Sequence, residues 1–504
     1  LLLLLSLLAL PRGAQAVVEV RPGDDLQAAV DAQPPGTEFR IRAGVHRLQQ
    51  VRPKDGDVFT GEPGAVLSGA VVLEGWRREG DFWVVEDQPY RGQVHGSCEP
   101  GYEGCRFPED LFLDDEPLRR VTRLSDLDRP EEWFFDTDGQ RIFLLADPRG
   151  ARVELGVTRH AFYGDARDVV IQGLVIEKYA PPAQHGAVHG LASTFGPPSR
   201  DWTLLFNTIR WNHGMGVRTS DGMRVIANAI VGNGQLGIGG SGDDVLVEGN
   251  LIAWNNTAGF NPNWEAGGSK FVGTRGLRVR FNYVEGNWGP GLWTDIDNED
   301  VLYENNWVFR NTGPGIFHEI SQSAVIRDNQ VEKNGTGFDA WLWGAQILVS
   351  TSRDVEIYGN QVVVARKAGN GITLVQQDRG SGRAGRHVTT GNFVHDNSVV
   401  YLGEAGMSGA AADFDPETLY GGHNRFRRNS YYSDDRSGRH WAWRGALDWR
   451  GWRRAGQDAD GRRRSSPLTT SARRGGRCGL DGGASLALLA LLLGLRRRAD
   501  KPTR

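Results

Sequence analysis

Cysteine is scarce in this sequence, with 3 among 504 residues, and two of them, Cys98 and Cys105, stand close together in a turn-rich stretch. In an exported chain that spacing leads us to expect one local disulfide rather than two free buried thiols. Neither sign of charge dominates. Against 62 acidic residues stand 58 basic ones, and a net charge of -4 argues against a nucleic-acid partner. Walker and Rossmann glycine patterns are missing, which removes the usual motifs of nucleotide binding. No apolar run reaches the roughly 17 to 25 residues of a full membrane-spanning helix. What the chain does have is glycine, 68 residues, and asparagine at recurring intervals.

The two ends carry address signals. Leu1 to Leu10 is apolar and leads into Pro11, Arg12 and the triplet Ala14, Gln15, Ala16, the pattern of a secretory signal and its cleavage site. Residues 1–16 are expected to be removed after Ala16, and without an initiator Met or a basic stretch the sequence is expected to begin inside that signal. Near the other end come Arg473-Arg474-Gly475-Gly476-Arg477-Cys478, an apolar stretch from Ala484 to Leu495, and Arg496 to Arg498. This resembles the tripartite C-terminal anchors of Gram-negative bacteria in which a Gly-Gly or Cys motif is cut by a membrane protease. The resemblance implies a sorting segment over 475–504, processing at Cys478, a sorting protease as partner, and a secreted or outer-surface location. Residues 461–474, rich in Arg, Ser and Thr, are expected to form a disordered linker.

Internal repetition decides the fold class. Segments of one pattern end in asparagine: Leu204 to Asn207, Val225 to Asn228, Leu246 to Asn250, Val279 to Asn282, Leu302 to Asn305, Val325 to Asn329, Glu356 to Asn360 and Val388 to Asn392. A second asparagine and a glycine-apolar step follow, as in Asn212 to Gly216-Val217 and Asn233 to Gly237-Ile238. A period of about 22 residues is that of a β-solenoid with at least two strands per coil. Asn and Gly suit left-handed corners, and Asn side chains stacked at strand spacing can bond along the stack. A leucine-rich repeat would need a regular leucine and a helix-forming face, and both are absent.

These features assign an all-β fold, a right-handed parallel β-helix, and the chain resembles the pectate-lyase-like superfamily over roughly residues 20 to 460. Residues 17–73 read as an N-terminal cap and first coils, with Pro22 to Asp31 as a capping helix. Residues 74–158 read as an inserted β-rich unit whose expected core is Trp83, Phe112, Trp133, Phe134, Phe135 and Phe143. The helix proper runs over 159–460 and closes on a Trp-rich segment with Trp441, Trp449, Trp452 and Asp458.

Stacking places equivalent residues of adjacent coils about 4.8 Å apart, so outward columns can be read from the repeats. Aligning Gly291 to Asp297 with Gly315 to Ser321 turns Leu292 and Ile316 inward and pairs Trp293 with Phe317, Asp295 with Glu319, and Asp297 with Ser321 on the outside. Extending the columns brings in Arg218, Asn261, Asn263, Glu265, Asp339, Trp341 and Trp343, with Lys270 in a longer excursion of unfixed register. Two carboxylates that close either share a proton, making an acid and base pair, or hold a cation, here Ca²⁺ on Asp295, Asp297 and Glu319. Asp295, Glu319, Lys270, His318 and Glu265 are the catalytic candidates, although His318 aligns with the inward Thr294. Lys270 stands out because Arg greatly outnumbers Lys in this chain, and a titratable amine can serve as base. Trp264, Trp293, Phe317, Trp341 and Arg218 are the candidate sugar-binding residues. His185 and His189 have the spacing of metal ligands on a helix, in a Pro-rich loop where no helix is expected.

The resemblance does not carry catalytic residues across. The Asp-Pro-His-Asp motif of mannuronan epimerases and the Asp-Asp pair of polygalacturonases are not found. The reading is an exported, monomeric polysaccharide lyase or hydrolase acting on an acidic glycan, less so an epimerase; the alternative is a non-catalytic adhesin or glycan-binding protein. A long groove lined by insertions around residues 260 to 275 and 339 to 346 would favour the enzyme, and a flat face would favour adhesion.

Overall fold

The computed structural model describes residues 17–190, 198–338, 341–435 and 438–465. The expectations for residues 1–16, Ala16, Asp339, Cys478 and 475–504 fall outside them. The described chain is a right-handed parallel β-helix with three parallel sheets along its length, two of 13 strands and one of 12. Each coil therefore has three strands. One coil runs through Thr203–Leu205, Thr208–Arg210 and Met215–Thr219, and the next through Arg224–Ile226, Ala229–Val231 and Leu236–Gly240. Strands this short present one or two apolar side chains inward. Leu204, Ile209 and Val217 are fully buried, with Val225, Ile230 and Ile238 stacked in register upon them. Each such side chain contributes about 1.5 to 3 kcal/mol by leaving water.

The corners work differently from the expectation that asparagine itself adopts the left-handed conformation. The left-handed residue is the one before it: Phe206, Ala227, Gly249, Phe281, Asn305, Asp328, Gly359, Asp396 and Arg428 all have φ between 53° and 68°. The asparagine that follows is buried and has negative φ. Its Oδ1 accepts from the backbone N–H and Nδ2 of the asparagine one coil earlier. The ladder runs Asn207, Asn228, Asn250, Asn282, Asn306, Asn329, Asn360, Asn397 and Asn429. Two repeat boundaries shift accordingly. Asn305 is the corner and Asn306 the ladder residue, while Asn392 belongs to a separate pair with Asn424 and Asn397 takes the ladder place. A second ladder joins Asn212, Asn233, Asn255, Asn287, Asn311 and Asn334 and ends on Gln346.

The first coil is covered by helix Leu26–Asp31, whose N-cap Asp25 accepts from Ala28 N–H and which buries Leu26 and Val30. At the far end Trp441, Trp452 and Tyr431 are fully buried. The first ladder stops on Asp458, which accepts from Asn429 N–H and Nδ2, Tyr431 OH and Trp452 Nε1. The expected disordered linker starts too early, because Arg462–Arg464 forms a strand paired in parallel with Ser430–Tyr432. Ladder bonds come from the backbone, so the outward arginines do not prevent them.

Between Ala70–Val72 and Val153–Gly156 the chain leaves the solenoid to form an eight-stranded, mainly antiparallel sheet. Trp83, Trp133, Phe135, Ile142 and Leu144 make its core, and Phe143 with Phe134 packs on the other face. Phe112 is buried but faces the solenoid, its ring 6.3 Å from that of Trp211. An arm of this unit is closed by a Cys98–Cys105 disulfide. His213 fixes it to the helix, with Nε2 2.8 Å from Cys105 O and Nδ1 3.1 Å from the Asp110 carboxylate.

Candidate active site

The outer face of the 12-stranded sheet carries the site. Printed on successive coils, its register runs Tyr163, His189, Arg218, Gly239 and Lys270. Phe271 pairs with Thr294, so Lys270 is followed in the column by Trp293, and then come Phe317 and Leu348. This fixes the register of Lys270, which the repeats alone leave open. Beside that column Asp295 and Glu319 occupy adjacent coils, as the alignment predicts.

The walls come from long steps in the ladder. Successive ladder asparagines are 21 to 24 residues apart where the corner is tight, but 32 apart before Asn282, 31 before Asn360, 37 before Asn397 and 32 before Asn429. These steps supply Trp264, then Trp341 and Trp343, then Arg379, then Asp413, around a cleft of about 740 Å³. The disulfide arm props the first wall. Phe260 packs with Cys105, Cys98 and Trp264, and His95 meets the Trp264 ring at 5.7 Å.

Lys270 is buried behind the cleft lining, beside Asp295, and is 6% exposed. Its Nζ is 3.0 Å from Asp295 Oδ2, 3.7 Å from Glu265 Oε2, 3.1 Å from Trp264 O and 4.1 Å above the Trp293 ring. The other oxygen, Asp295 Oδ1, is buried and has no hydrogen-bond partner among the described residues. Glu319 is equally buried and is paired with Arg379. Burial, and next to it the charge of Asp295, pushes the Glu319 carboxyl up to about 7, against the opposing pull of Arg379 and Lys270.

Several expectations are corrected. Trp293 and Phe317 do not offer open faces: they stack at 5.4 Å, are 3% exposed, and form a packed floor with Trp343 leaning edge-on at 5.5 Å. Trp341 is the exposed aromatic, at 46%, and Trp264 is half-buried in the opposite wall. His318 points into the solenoid, with Nδ1 2.8 Å from Thr294 Oγ1, and burial drops its pKa to about 3, so it is not part of the cleft. Asp297 does not join Asp295 and Glu319 as a calcium set. The backbone turns at Ile296 and Asp297, both left-handed, and aims the Asp297 carboxylate at Arg383 N–H, 3.1 Å away, and His387 Nε2, 3.2 Å away. The counterpart of Ser321 is consequently Asn298, whose N–H donates to Ser321 Oγ. Arg218 lies in a neighbouring groove, where Nη1 donates to Gln184 O, and Glu265 stands between the two, accepting from Gln184 Nε2.

Arg379 and Asp413 were not found from the sequence. Arg379 lies in a strap from Gln376 to His387 whose only advance sign is the 37-residue step. Away from the cleft, His185 and His189 do come together, with His160 as a third member, within 4.8 Å of one another; this is the one close group of three His, Cys, Asp or Glu ligands among the described residues.

A family model for the right-handed β-helix region matches residues 197–362, and one for the periplasmic copper-binding protein NosD matches residues 297–445. Among solved structures the chain is similar to XylC in complex with xylose, at 15% identity and a TM-score of 0.59 over 80% of this chain and 87% of that one. It is also similar to the A-module of the Azotobacter vinelandii mannuronan C-5 epimerase AlgE6, at 10% identity and a TM-score of 0.41 over 77% and 94%. A third is the DFA-IIIase of Arthrobacter chlorophenolicus A6 without its lid, at 14% identity and a TM-score of 0.40 over 88% and 92%. At these identities the likeness is one of fold. No curated protein matches the chain. The protein is a right-handed parallel β-helix protein. Among the described residues of the segment matched by the copper-binding model, no three His, Cys, Asp or Glu ligand atoms lie within 4.8 Å of one another. No helix among the described residues is long and apolar enough to cross a membrane.

Proposed function

We propose that this is an exported carbohydrate-active enzyme that hydrolyses an acidic polysaccharide, with Asp295 and Glu319 as its working pair. The observation that carries the reading is the contrast between two carboxyl groups on adjacent coils of one cleft. Asp295 Oδ2 is ion-paired with Lys270 at 3.0 Å and its buried Oδ1 has no hydrogen-bond partner among the described residues, whereas burial and the neighbouring Asp295 push Glu319 toward its protonated form. Environments that separate two carboxyls in this way assign an acid and a nucleophile. Glu319 protonates the leaving glycosidic oxygen while Asp295 Oδ1 attacks or stabilises the anomeric carbon, and water then releases the product with Glu319 as base. A spacing of about 5 Å across neighbouring coils fits the retaining course. Trp341 and Trp264 supply faces for sugar rings, and Arg379 supplies a cation for a sugar carboxylate. The Cys98–Cys105 disulfide supports a location outside the cytoplasm, with the signal, surface anchor and sorting protease as part of the same proposal.

The chain from Val17 to Ser465, incubated with acidic and neutral polysaccharides, tests this by following new reducing ends together with the ultraviolet absorbance of unsaturated uronates. Reducing ends without absorbance are expected. Absorbance would mean β-elimination with Arg379 neutralising the uronate, and neither signal across the panel would favour the adhesin or glycan-binding reading.

A further inference from the structure

Three imidazoles converge on the first coils of the same sheet, well away from the carboxylate pair. His189 belongs to the column that leads through Arg218 and Gly239 to Lys270, three coil steps or about 14 Å further on. His160 comes from the preceding coil, and His185 from the corner after Pro181-Pro182, where its N–H closes a turn on Pro182 O. Ring centroids are 4.7 Å apart for His160 and His189, 4.5 Å for His185 and His189, and 5.7 Å for His160 and His185. His160 and His189 are buried at 6% and 5% exposure, while His185 is half-buried and opens on a groove of about 880 Å³.

We propose that His160, His185 and His189 bind one late first-row divalent metal ion, the fourth position facing that groove. The donor set fits such an ion, since three nitrogen ligands with an open position suit zinc, copper or nickel, whereas calcium demands oxygen. His160 is already oriented for it. With Nδ1 2.8 Å from Gly186 O, its proton is held there and Nε2 is left as a donor atom, the outer-shell arrangement of metal-bound histidines. Nitrogens around a tetrahedral ion lie roughly 3.3 Å apart, and small ring rotations close the difference from the present separation.

Three features oppose loading: the positive charge of Arg218, next to His189 on the following coil, and two contacts specific enough to test. His189 Nδ1 accepts from Gly186 N–H at 3.1 Å, a bond the ion would displace. Arg159 Nη2 is 3.4 Å from both nitrogens of His185, and its positive charge repels the ion. Arg159 is exposed, and besides His185 its Nη2 reaches Gln93 Oε1 at 3.2 Å, a surface bond it can exchange for water on swinging into solvent.

The test uses the full chain stripped with a chelator and titrated with Zn²⁺ by equilibrium dialysis and with Co²⁺ by visible absorbance. One equivalent per chain is expected. His160→Ala with His189→Ala should weaken uptake at least 100-fold, and His185→Gln by about 10- to 100-fold. Exposed His423→Ala should leave it unchanged. Arg159→Met should tighten it by up to about tenfold, because a like charge is removed. Substoichiometric uptake by the parent chain overturns the proposal, as does equal binding by parent and His185→Gln. Should the double variant unfold, the half-buried His185→Gln and Arg159→Met still decide, since only a real site moves them in opposite directions. The readout is independent of carbohydrate activity, so it stands or falls apart from Asp295 and Glu319.

Discussion

The asparagine ladder and the cleft are built from the same coils and obey opposite rules. Along the ladder every coil contributes the same side chain, and each amide is answered by the next one at 2.8 to 3.1 Å. Along the cleft no two neighbours are alike: Gly239, Lys270, Trp293, Phe317 and Leu348 succeed one another in one column. The ladder stabilises by repetition, since any amide left out strands the buried donors of its neighbour. The cleft holds charges that gain nothing from repetition and depend on particular partners, Lys270 on Asp295 and Glu265, and Glu319 on Arg379. Substitutions in the two regions should therefore separate stability from activity.

The largest effect belongs to the cleft. Glu319→Gln should lower turnover of the polysaccharide identified by the panel between about 100- and 10,000-fold, with little change in melting temperature. The parent's activity should fall as pH rises through about 7, where the general acid loses its proton, and that limb should vanish in the variant. The same group fixes a sign for stability. Its folded pKa is above the ordinary 4.5, so the folded chain holds more protons between the two values, and its contribution is full below 4.5 and lost as pH rises through about 7. Urea titrations across that range should show the slope, and Glu319→Gln should flatten it.

A ladder substitution should do the reverse. Asn282 Oδ1 accepts from both Asn250 N–H and Asn250 Nδ2, and its own Nδ2 donates to Val247 O and Asn306 Oδ1. Asn282→Ala should cost about 2 to 4 kcal/mol in denaturant titration while specific activity per folded molecule is retained. A large loss of activity at unchanged stability would erase the contrast between the regions. The smallest effect is expected at the rim, where Trp341→Ala should raise KM roughly three- to tenfold without altering the denaturation midpoint.

The difference between the regions also explains what could be read in advance. Apolar triplets ending in asparagine report the coil directly, because the ladder leaves the same mark on every turn. The Trp293–Phe317 and Asp295–Glu319 pairs were legible for the same reason, as they fall between two coils of ordinary length. Asp297 was misplaced by one local event, the left-handed turn at Ile296 and Asp297, which no repeat announces. Arg379 was invisible because it reaches Glu319 from 60 residues away on a strap that interrupts the pattern. His160 was missed because its partners His185 and His189 lie a coil later.

One property of the ladder reaches past this chain. The bond between successive amides keeps nearly the same length, 3.0 or 2.9 Å, whether they stand 21 or 37 positions apart. A corner segment can thus lengthen, shorten or be exchanged for a foreign one while the core beneath it goes on unaware of the change. Recognition in such a molecule is carried by interchangeable parts on a fixed axle, and new specificities can be assembled by transplanting the segments around Trp264, Trp341 and Arg379 between scaffolds of this kind.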